Sequence, residues 1–253
     1  MRIANWCAGL LLGFPLAGGA VAPIAALDFT AGAWVDVDAT GKARVIEMGR
    51  VTRLEDVSQL GPVVDKIKAR LRERIETWQF VPAARDGAPV ASRTHVSIWL
   101  EGVDDGKGGL GVRVRSATTG AELKDINMIG LQIAGNRVQE EGAVTIDVTY
   151  DEGGKVVTTA VADSKFFDGH RFTGYAGKAL RRNMLAAAQA WKFVPEQIDG
   201  HPQAGSGRVP IHFCFSEACA IAREDSKDAL GDAQFAAADP AVKLRSAVAG
   251  TAL

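Results

Sequence analysis

The residues of this 253-residue chain that could do catalytic or metal chemistry are few and badly spaced for it. Gly205-Ser206-Gly207 lacks the full Gly-x-Ser-x-Gly frame of a hydrolase nucleophile and follows a loop instead of a buried strand. No ligand pair of the His-Glu-x-x-His kind occurs among the histidines, which are His95, His170, His201 and His212. His95 and His212 alternate with apolar positions on predicted strands, so both are expected to be solvated, facing outward or at an edge. The sequence therefore predicts no enzyme, no metal site and no cofactor.

Disulfide chemistry is the exception. Cys7 lies in an N-terminal segment that is expected to be removed, which leaves Cys214 and Cys219. An even pair in an exported protein favours a disulfide that closes a short loop. Two reduced, buried thiols are the alternative, and a metal site is less favoured because only His212 lies nearby.

The first residues predict export. After Arg2 the chain carries no charge from Ile3 to Leu27, with an apolar centre and small residues near Ala25-Ala26. This is the pattern of a secretory signal peptide, cut here after Ala26, and it predicts a periplasmic protein. The alternative is an inner-membrane anchor formed by residues 3–27, since a bilayer span needs about 20 apolar residues.

The charge balance argues against a nucleic-acid partner. The chain has 29 Lys and Arg against 30 Asp and Glu, a net charge of −1, whereas binding to phosphates requires clustered cations. The one basic run, Lys66 to Arg74, alternates with apolar and acidic residues and is interpreted as a solvated helix face.

An internal repeat organises the rest of the chain. The motif Trp-x-Phe-Val-Pro occurs twice, and the separation of its two tryptophans, Trp78 and Trp191, also links two Gly-Lys pairs and two Asp-Gly pairs. A duplication is indicated because separate landmarks share this one repeat spacing. The two copies of the motif supply the predicted structural core residues: Trp78, Phe80 and Pro82 in the first, and Trp191, Phe193 and Pro195 in the second.

Each copy has the same order of predicted elements. Val144 to Tyr150 alternates apolar and polar residues, a Gly-rich turn follows, and Lys155 to Val161 returns as a second strand. An apolar stripe at helical spacing then leads to Trp78 or Trp191, and a third alternating strand closes each unit. The predicted fold class is α+β: tandem β-β-α-β domains, each a three-stranded antiparallel sheet packed on one helix.

The predicted domain boundaries follow from this parse. Residues 1–26 are the signal peptide, 27–101 the first domain, 102–125 a Gly-rich linker, 126–219 the second domain, and 220–253 a mobile tail. Within the linker, Leu110 to Ser116 is a candidate extra strand. The glycines of the linker match no phosphate loop, because no Gly-Lys-Ser/Thr ends the run.

The duplicated unit resembles the C-terminal domain of the TonB energy-transducer family. The resemblance rests on the hairpin, on Ala187 to Pro195 at the helix end, and on Asp199-Gly200-His201-Pro202, with their counterparts in the first copy. It covers somewhat more than half of the chain. An energy transducer also needs a retained anchor and a Pro-rich span, and the sequence shows neither clearly.

The resemblance implies a site and a partner. Members of that family bind the N-terminal segment of an outer-membrane transporter as a strand added beside their third strand, a mode in which backbone hydrogen bonds supply affinity. The implied edge residues are Arg208, Val209, Ile211 and Phe213 in the second copy, and Thr94, Val96 and Ile98 in the first. The predicted function is peptide binding by strand addition in outer-membrane transport or energy coupling. The alternative is a stand-alone periplasmic scaffold or cell-wall-associated module, with a homodimer as a further option.

Overall fold

The computed structural model describes residues 28–52, 61–104, 110–125, 142–166, 174–213 and 235–253. Within these ranges the fold is mixed α+β, with antiparallel sheets and two α-helices. The predicted signal peptide and the predicted disulfide between Cys214 and Cys219 lie outside the described residues.

The first half of the chain begins with a long hairpin, followed by a helix and a second pair of long strands. Its elements are β1 (Asp28–Val37), β2 (Ala43–Val51), α1 (Gly61–Thr77), β3 (Phe80–Val81), β4 (Ala84–Arg85), β5 (Ala88–Pro89), β6 (Ser92–Asp104), β7 (Leu110–Gly120) and β8 (Glu122–Asp125).

The second half follows the same order through its third long strand and ends with two short strands. Its elements are β9 (Gly142–Tyr150), β10 (Val156–Phe166), α2 (Gly174–Gln189), β11 (Lys192–Val194), β12 (Gln197–Ile198), β13 (His201–Pro202), β14 (Gly205–Phe213), β15 (Ala236–Ala237) and β16 (Lys243–Leu244).

Each helix covers one face of a sheet with an apolar stripe at 3.6-residue spacing. The buried residues of α1 are Val64, Ile67, Leu71 and Ile75. Trp78 and Phe80 complete this first core, and Trp191 and Phe193 occupy a separate second core. Pro82 is half-buried and Pro195 is buried, each just beyond its Trp-x-Phe segment.

Backbone geometry repeats at the repeat spacing. Gly41 and Gly154 have positive φ angles of 85° and 77°, and Asp86 and Asp199 have φ angles of 53° and 52°. Positive φ is uncommon for residues other than glycine, although aspartate tolerates it in turns. The same turn conformations therefore stand at matched places in the two halves.

The sheets are larger than predicted. One has six strands, in which β6 pairs with β1 on one side and with β7 and β12 on the other. The other has four, in the order β10-β9-β14-β15. The expectation of three strands per sheet is wrong, because segments assigned to linker and tail form further strands.

The linker and the tail contribute to both cores. Residues 110–125, placed in the Gly-rich linker, form β7 and β8, and Val114 of β7 is fully buried. Residues 235–253, predicted to be mobile, form β15 and β16 and bury Phe235, Val242 and Val248. Burial of these apolar side chains is the physical reason that both segments adopt fixed positions.

The two halves exchange short strands. The strand that follows β7 in the chain, β8, pairs with β11 of the second half. The last strand, β16, pairs with β3 of the first half. Phe80 and Phe193 occupy matched positions of the repeat, and they face Leu244 and Leu123 respectively in these ladders. Each half therefore completes the backbone pairing of the other.

Candidate functional site

The predicted binding edge of the first copy is already occupied. It comprises Thr94, Val96 and Ile98, whose side chains are all buried. On the side away from β1, the backbone of β6 pairs with β7 along His95–Asp104. The edge predicted to receive a partner strand is therefore taken by β7 of the same chain, in which Val112 and Val114 alternate with arginines and form one apolar face.

The predicted edge of the second copy is partly occupied. It comprises Arg208, Val209, Ile211 and Phe213, of which Val209 and Ile211 bury their side chains. Gly207 and Arg208 pair with Ala237 and Ala236 of β15. The side chains of His212 and Phe213 lie outside the described part of the structure.

Pro210 makes the rest of this edge a poor site for an added strand. The Ala238 N–H donates to the Ser206 carbonyl at 2.9 Å, so the backbone of Ser206 faces β15. The β14–β9 ladder has no register shift, and alternate residues therefore place Arg208 and Pro210 on that same side. Pro210 has no N–H to offer there, and proline at an edge is a known protection against strand pairing.

Among the residues that the structure describes, no strand lies beside the outer edge of β10. β10 is the terminal strand of its sheet, and residues 156–162 read Val-Val-Thr-Thr-Ala-Val-Ala without a charge. Val157 is 57% exposed, and Thr158, Ala160 and Ala162 are exposed as well. An uncharged strand rich in β-branched residues at a bare edge is a template for pairing with another chain. Sequence reasoning treated this run only as the second strand of a hairpin, although its lack of charge was a visible signal.

The matched strand of the first half, β2, is covered at Val45. The Val45 N–H donates to Glu76 Oε1 at 3.2 Å, and the Val45 carbonyl accepts from Arg72 at 2.9 Å. In the second half, Gln189 matches Glu76 in the repeat and donates to the Val156 carbonyl at 2.8 Å. Leu185 replaces Arg72 at the equivalent position. The helix therefore covers part of the β2 edge with polar side chains, whereas in the described residues it leaves β10 uncovered beyond Val156.

Charged side chains also line an open cleft of about 600 Å³ at one end of the first sheet. Asp36 accepts from Arg93 at 2.7 Å and from Arg44 at 3.3 Å, and Asp199 accepts from Arg85 at 2.8 Å. The Arg93 hydrogen bond is the main cause that lowers the pKa of Asp36. These charges satisfy one another, so the cleft offers no clear preference for a charged ligand.

His95 is buried, contrary to the expectation of a solvated histidine. Its ring lies 5.4 Å from the Trp34 ring, and its Nδ1 is 3.3 Å from Ser97 Oγ. A Cβ on Gly32 would contact the imidazole, so this glycine makes room for it. Burial lowers the pKa of His95 to about 4, while the charge of Glu122 acts in the opposite direction. The neutral imidazole thus packs against the sheet residues around it.

We expect His95 to make the protein less stable in mild acid. Its pKa is lower in the folded state than the ordinary value of about 6.5, so the unfolded state binds more protons as the pH falls. The penalty grows between pH 6.5 and about 4 and reaches at most about 3 kcal/mol. Guanidinium unfolding at a series of pH values should show a steeper loss for the wild type than for His95→Gln. Equal slopes in the two proteins would contradict this account.

Glu196 joins the two halves through a buried carboxylate that is only 5% exposed. Thr94 Oγ1 of β6 donates to its Oε1 at 2.6 Å, and the Ala241 N–H donates to its Oε2 at 2.9 Å. Desolvation raises the pKa of Glu196 against these hydrogen bonds, which lower it. The matched residue of the first half is Ala83, so this link exists only once.

The described part of the chain places no three His, Cys, Asp or Glu side chains where they could hold a metal ion. Among the helices in that part, none has the length and apolar character needed to cross a membrane. No protein-family profile, curated protein or solved structure matches this chain.

Proposed function

We propose that this protein is an exported, non-enzymatic binding module that takes an extended segment of a partner protein as an added strand on the outer edge of β10. The observation that carries the proposal is the uncharged run Val157–Ala162 at the end of the four-stranded sheet, beside which the described residues place no other strand. An added strand would gain the backbone hydrogen bonds that a terminal strand lacks. Specificity would come from alternate side chains of the partner against the exposed residues of β10.

The architecture behind the proposal is a tandem pair of β-β-α-β units similar to the C-terminal domain of the TonB family. Support comes from the matched order of elements and from the similar φ angles at Gly41 and Gly154, and at Asp86 and Asp199. On this proposal the partner is a protein or peptide, with the N-terminal segment of an outer-membrane transporter as the candidate that the resemblance suggests.

A stand-alone periplasmic scaffold is the second candidate, and one observation favours it over energy coupling. The third strands β6 and β14, which carry the peptide in the family that the sequence resembles, are paired here with β7 and β15 of the same chain. A chain that occupies these edges itself has lost the usual place for a transporter segment. Energy coupling and the stand-alone scaffold both require export. A cut after Ala26 would leave β1, which begins at Asp28, intact.

Thr159→Pro tests the binding edge. Thr149 of β9 faces β10 and pairs with Thr158, so the next residue, Thr159, directs its N–H away from β9. Proline at 159 removes an outward donor and leaves the inner ladder in place. Thr159→Val is the matched control, because it keeps the N–H and the β-branched shape. Phage-displayed linear peptides selected on the wild type should be retained by Thr159→Val and lost by Thr159→Pro.

Retention of the same peptides by Thr159→Pro, with an unchanged melting temperature, would overturn the β10 site.

N-terminal sequencing of the protein from membrane and soluble fractions separates energy coupling from the stand-alone scaffold. A mature chain that begins at Leu27 and stays in the soluble fraction is incompatible with force transduction by this chain alone.

A further inference from the structure

We infer that the strand taken by β10 is β10 of a second copy of this chain, paired antiparallel about a two-fold axis at Thr159. The inference rests on the proposed function, because it uses the same open edge and names the partner. It is carried by three observations: the direction of the backbone groups, the placement of two charges, and the way in which the helix limits the edge.

The backbone allows a symmetric pair centred on Thr159. Ser206 and Arg208 face β15, so Thr149 and Asp147 of β9 face β10 and form its hydrogen-bonded pairs with Thr158 and Ala160. By alternation, Thr159 and Val161 direct their N–H and C=O groups outward. On a two-fold axis, two Thr159 residues can exchange both backbone hydrogen bonds, and Val161 of each copy then lies opposite Val157 of the other.

The charges select this register. With Thr159 on the axis, Lys155 of one copy lies opposite Asp163 of the other, and the symmetry forms this pair twice. Both side chains are exposed. The Ser164 N–H donates to Asp163 Oδ1 at 2.8 Å, which leaves Oδ2 for the lysine. Moving the axis to Val161 places Asp163 opposite Thr159 and takes Lys155 out of reach of any acid on the strand.

The residues between these charges suit a self-pair. Positions 156–162 carry no charge, so no like charges oppose each other across the axis. Val157, 57% exposed in the single chain, would be covered by Val161 of the second copy. Register shifts relative to β9 flank Thr158–Val161, and Gln189 occupies the Val156 carbonyl. The segment with paired backbone is therefore short, about 157–161, the two Lys155–Asp163 pairs lie just beyond its ends, and the dimer is expected to be weak and reversible.

The pairing would join two four-stranded sheets into a continuous sheet of eight strands, with a helix of each copy on the same side. An isologous contact of this kind closes on itself and does not propagate into fibres. It also removes the one long uncharged edge found in the described residues, which answers the hazard that such an edge presents.

Charge reversal across the axis tests the inference on the full mature chain. Sedimentation velocity over a wide concentration range should show a monomer–dimer equilibrium for the wild type. Lys155→Glu or Asp163→Lys alone should weaken association by roughly tenfold, because each places two like-charge pairs across the axis. The double variant should restore it. Glu152→Lys, an exposed residue of the adjacent turn that faces no charge in this register, is the matched control and should have no effect.

Two outcomes would overturn the inference: a wild type that stays monomeric at every concentration, or a dimer that both single reversals leave unchanged. Thr159→Pro separates this failure from failure of the proposed function. If the chain is monomeric but selected peptides still require the Thr159 N–H, the partner is a different protein and the binding edge stands. If Thr159→Pro affects neither self-association nor peptide binding, the edge itself is wrong.

Discussion

Deletion of residues 235–253 is expected to abolish cooperative unfolding of this protein. The segment carries Phe235 in the core of the second half, and Val242 and Val248 in the core of the first. Each buried side chain of this size is worth about 1.5–3 kcal/mol. Since a whole domain is stable by only about 5–15 kcal/mol, removal of all three leaves little or nothing.

The deletion also leaves buried polar groups without their hydrogen-bond partners. Glu196 would lose the Ala241 N–H and keep only Thr94 Oγ1 as a donor. The Thr119 hydroxyl would lose the Val242 carbonyl. A buried carboxylate left without its partners costs several kcal/mol or takes up a proton. The loss is therefore larger than the apolar area alone indicates.

Phe235→Ala is the point variant that tests the same segment within the complete chain. The Phe235 ring contacts the Tyr150 and Phe193 rings edge-on, with centroids 5.8 and 4.9 Å away. Gly207 is a glycine because a Cβ there would meet this ring. Truncation should cost about 3–5 kcal/mol, measured as a shift in the guanidinium midpoint. Asp239→Ala, which removes an exposed ion pair with Lys243, is the control and should cost less than about 1 kcal/mol. Equal, small effects of the two variants would mean that the segment is not packed as described.

The elements that local physics specifies were predictable from the sequence. Both long hairpins, both helices and the third strands follow from alternation, from the 3.6-residue stripe that ends at Trp78 and Trp191, and from turn residues such as Gly41 and Gly154. Each of these signals recurs at the repeat spacing, so the prediction for one half supports the prediction for the other. The sequence therefore predicted where the long strands and helices lie, but not which strands pair with each other.

The exchange between the halves was not predictable in the same way. β8 and β16 have four and two residues, which is too short for any alternation to be recognised. Their partners β11 and β3 have three and two residues, and burial of Phe193 and Phe80 in the cores holds them in place. Pairing between segments from opposite halves of the chain is a property of the packed structure and leaves no local pattern.

The open edge of the sheet could not be located from the sequence for a related reason. Resemblance pointed to the third strands, but a strand is open only if nothing else in the chain covers it, and β7 and β15 do so. Two helix positions distinguish β2 from β10. Arg72 and Glu76 both bind the backbone of Val45, and the matched residues of the second half are Leu185 and Gln189. The sequence alone does not show what the replacement of Arg72 by Leu185 changes, because the contact of Arg72 with the Val45 carbonyl is seen only in the structure.

Gly154→Ala is expected to be among the most destabilising single substitutions in the second half. Gly154 has a φ of 77°, and a Cβ there would fall on the carbonyl oxygen of Phe193. The backbone cannot retreat easily, because the Phe193 N–H donates to the Gly154 carbonyl at 2.9 Å and the Gly154 N–H donates to the Asp151 carbonyl at 2.8 Å. The left-handed conformation costs about 1–2 kcal/mol for alanine, and the overlap adds about 1–3 kcal/mol more.

Gly200→Ala separates the cost of the left-handed backbone conformation from the cost of the steric overlap. Gly200 has the same φ of 77°, yet a Cβ there meets nothing within 4 Å. It should therefore show the conformational cost alone, about 1–2 kcal/mol, and the excess for Gly154→Ala measures the contact with Phe193. Chemical denaturation of the two variants beside the wild type gives both values. If they are equally destabilised, the hairpin turn moves freely against the Trp-x-Phe segment, and the close packing of turn on strand cannot be what positions β10 and its open edge.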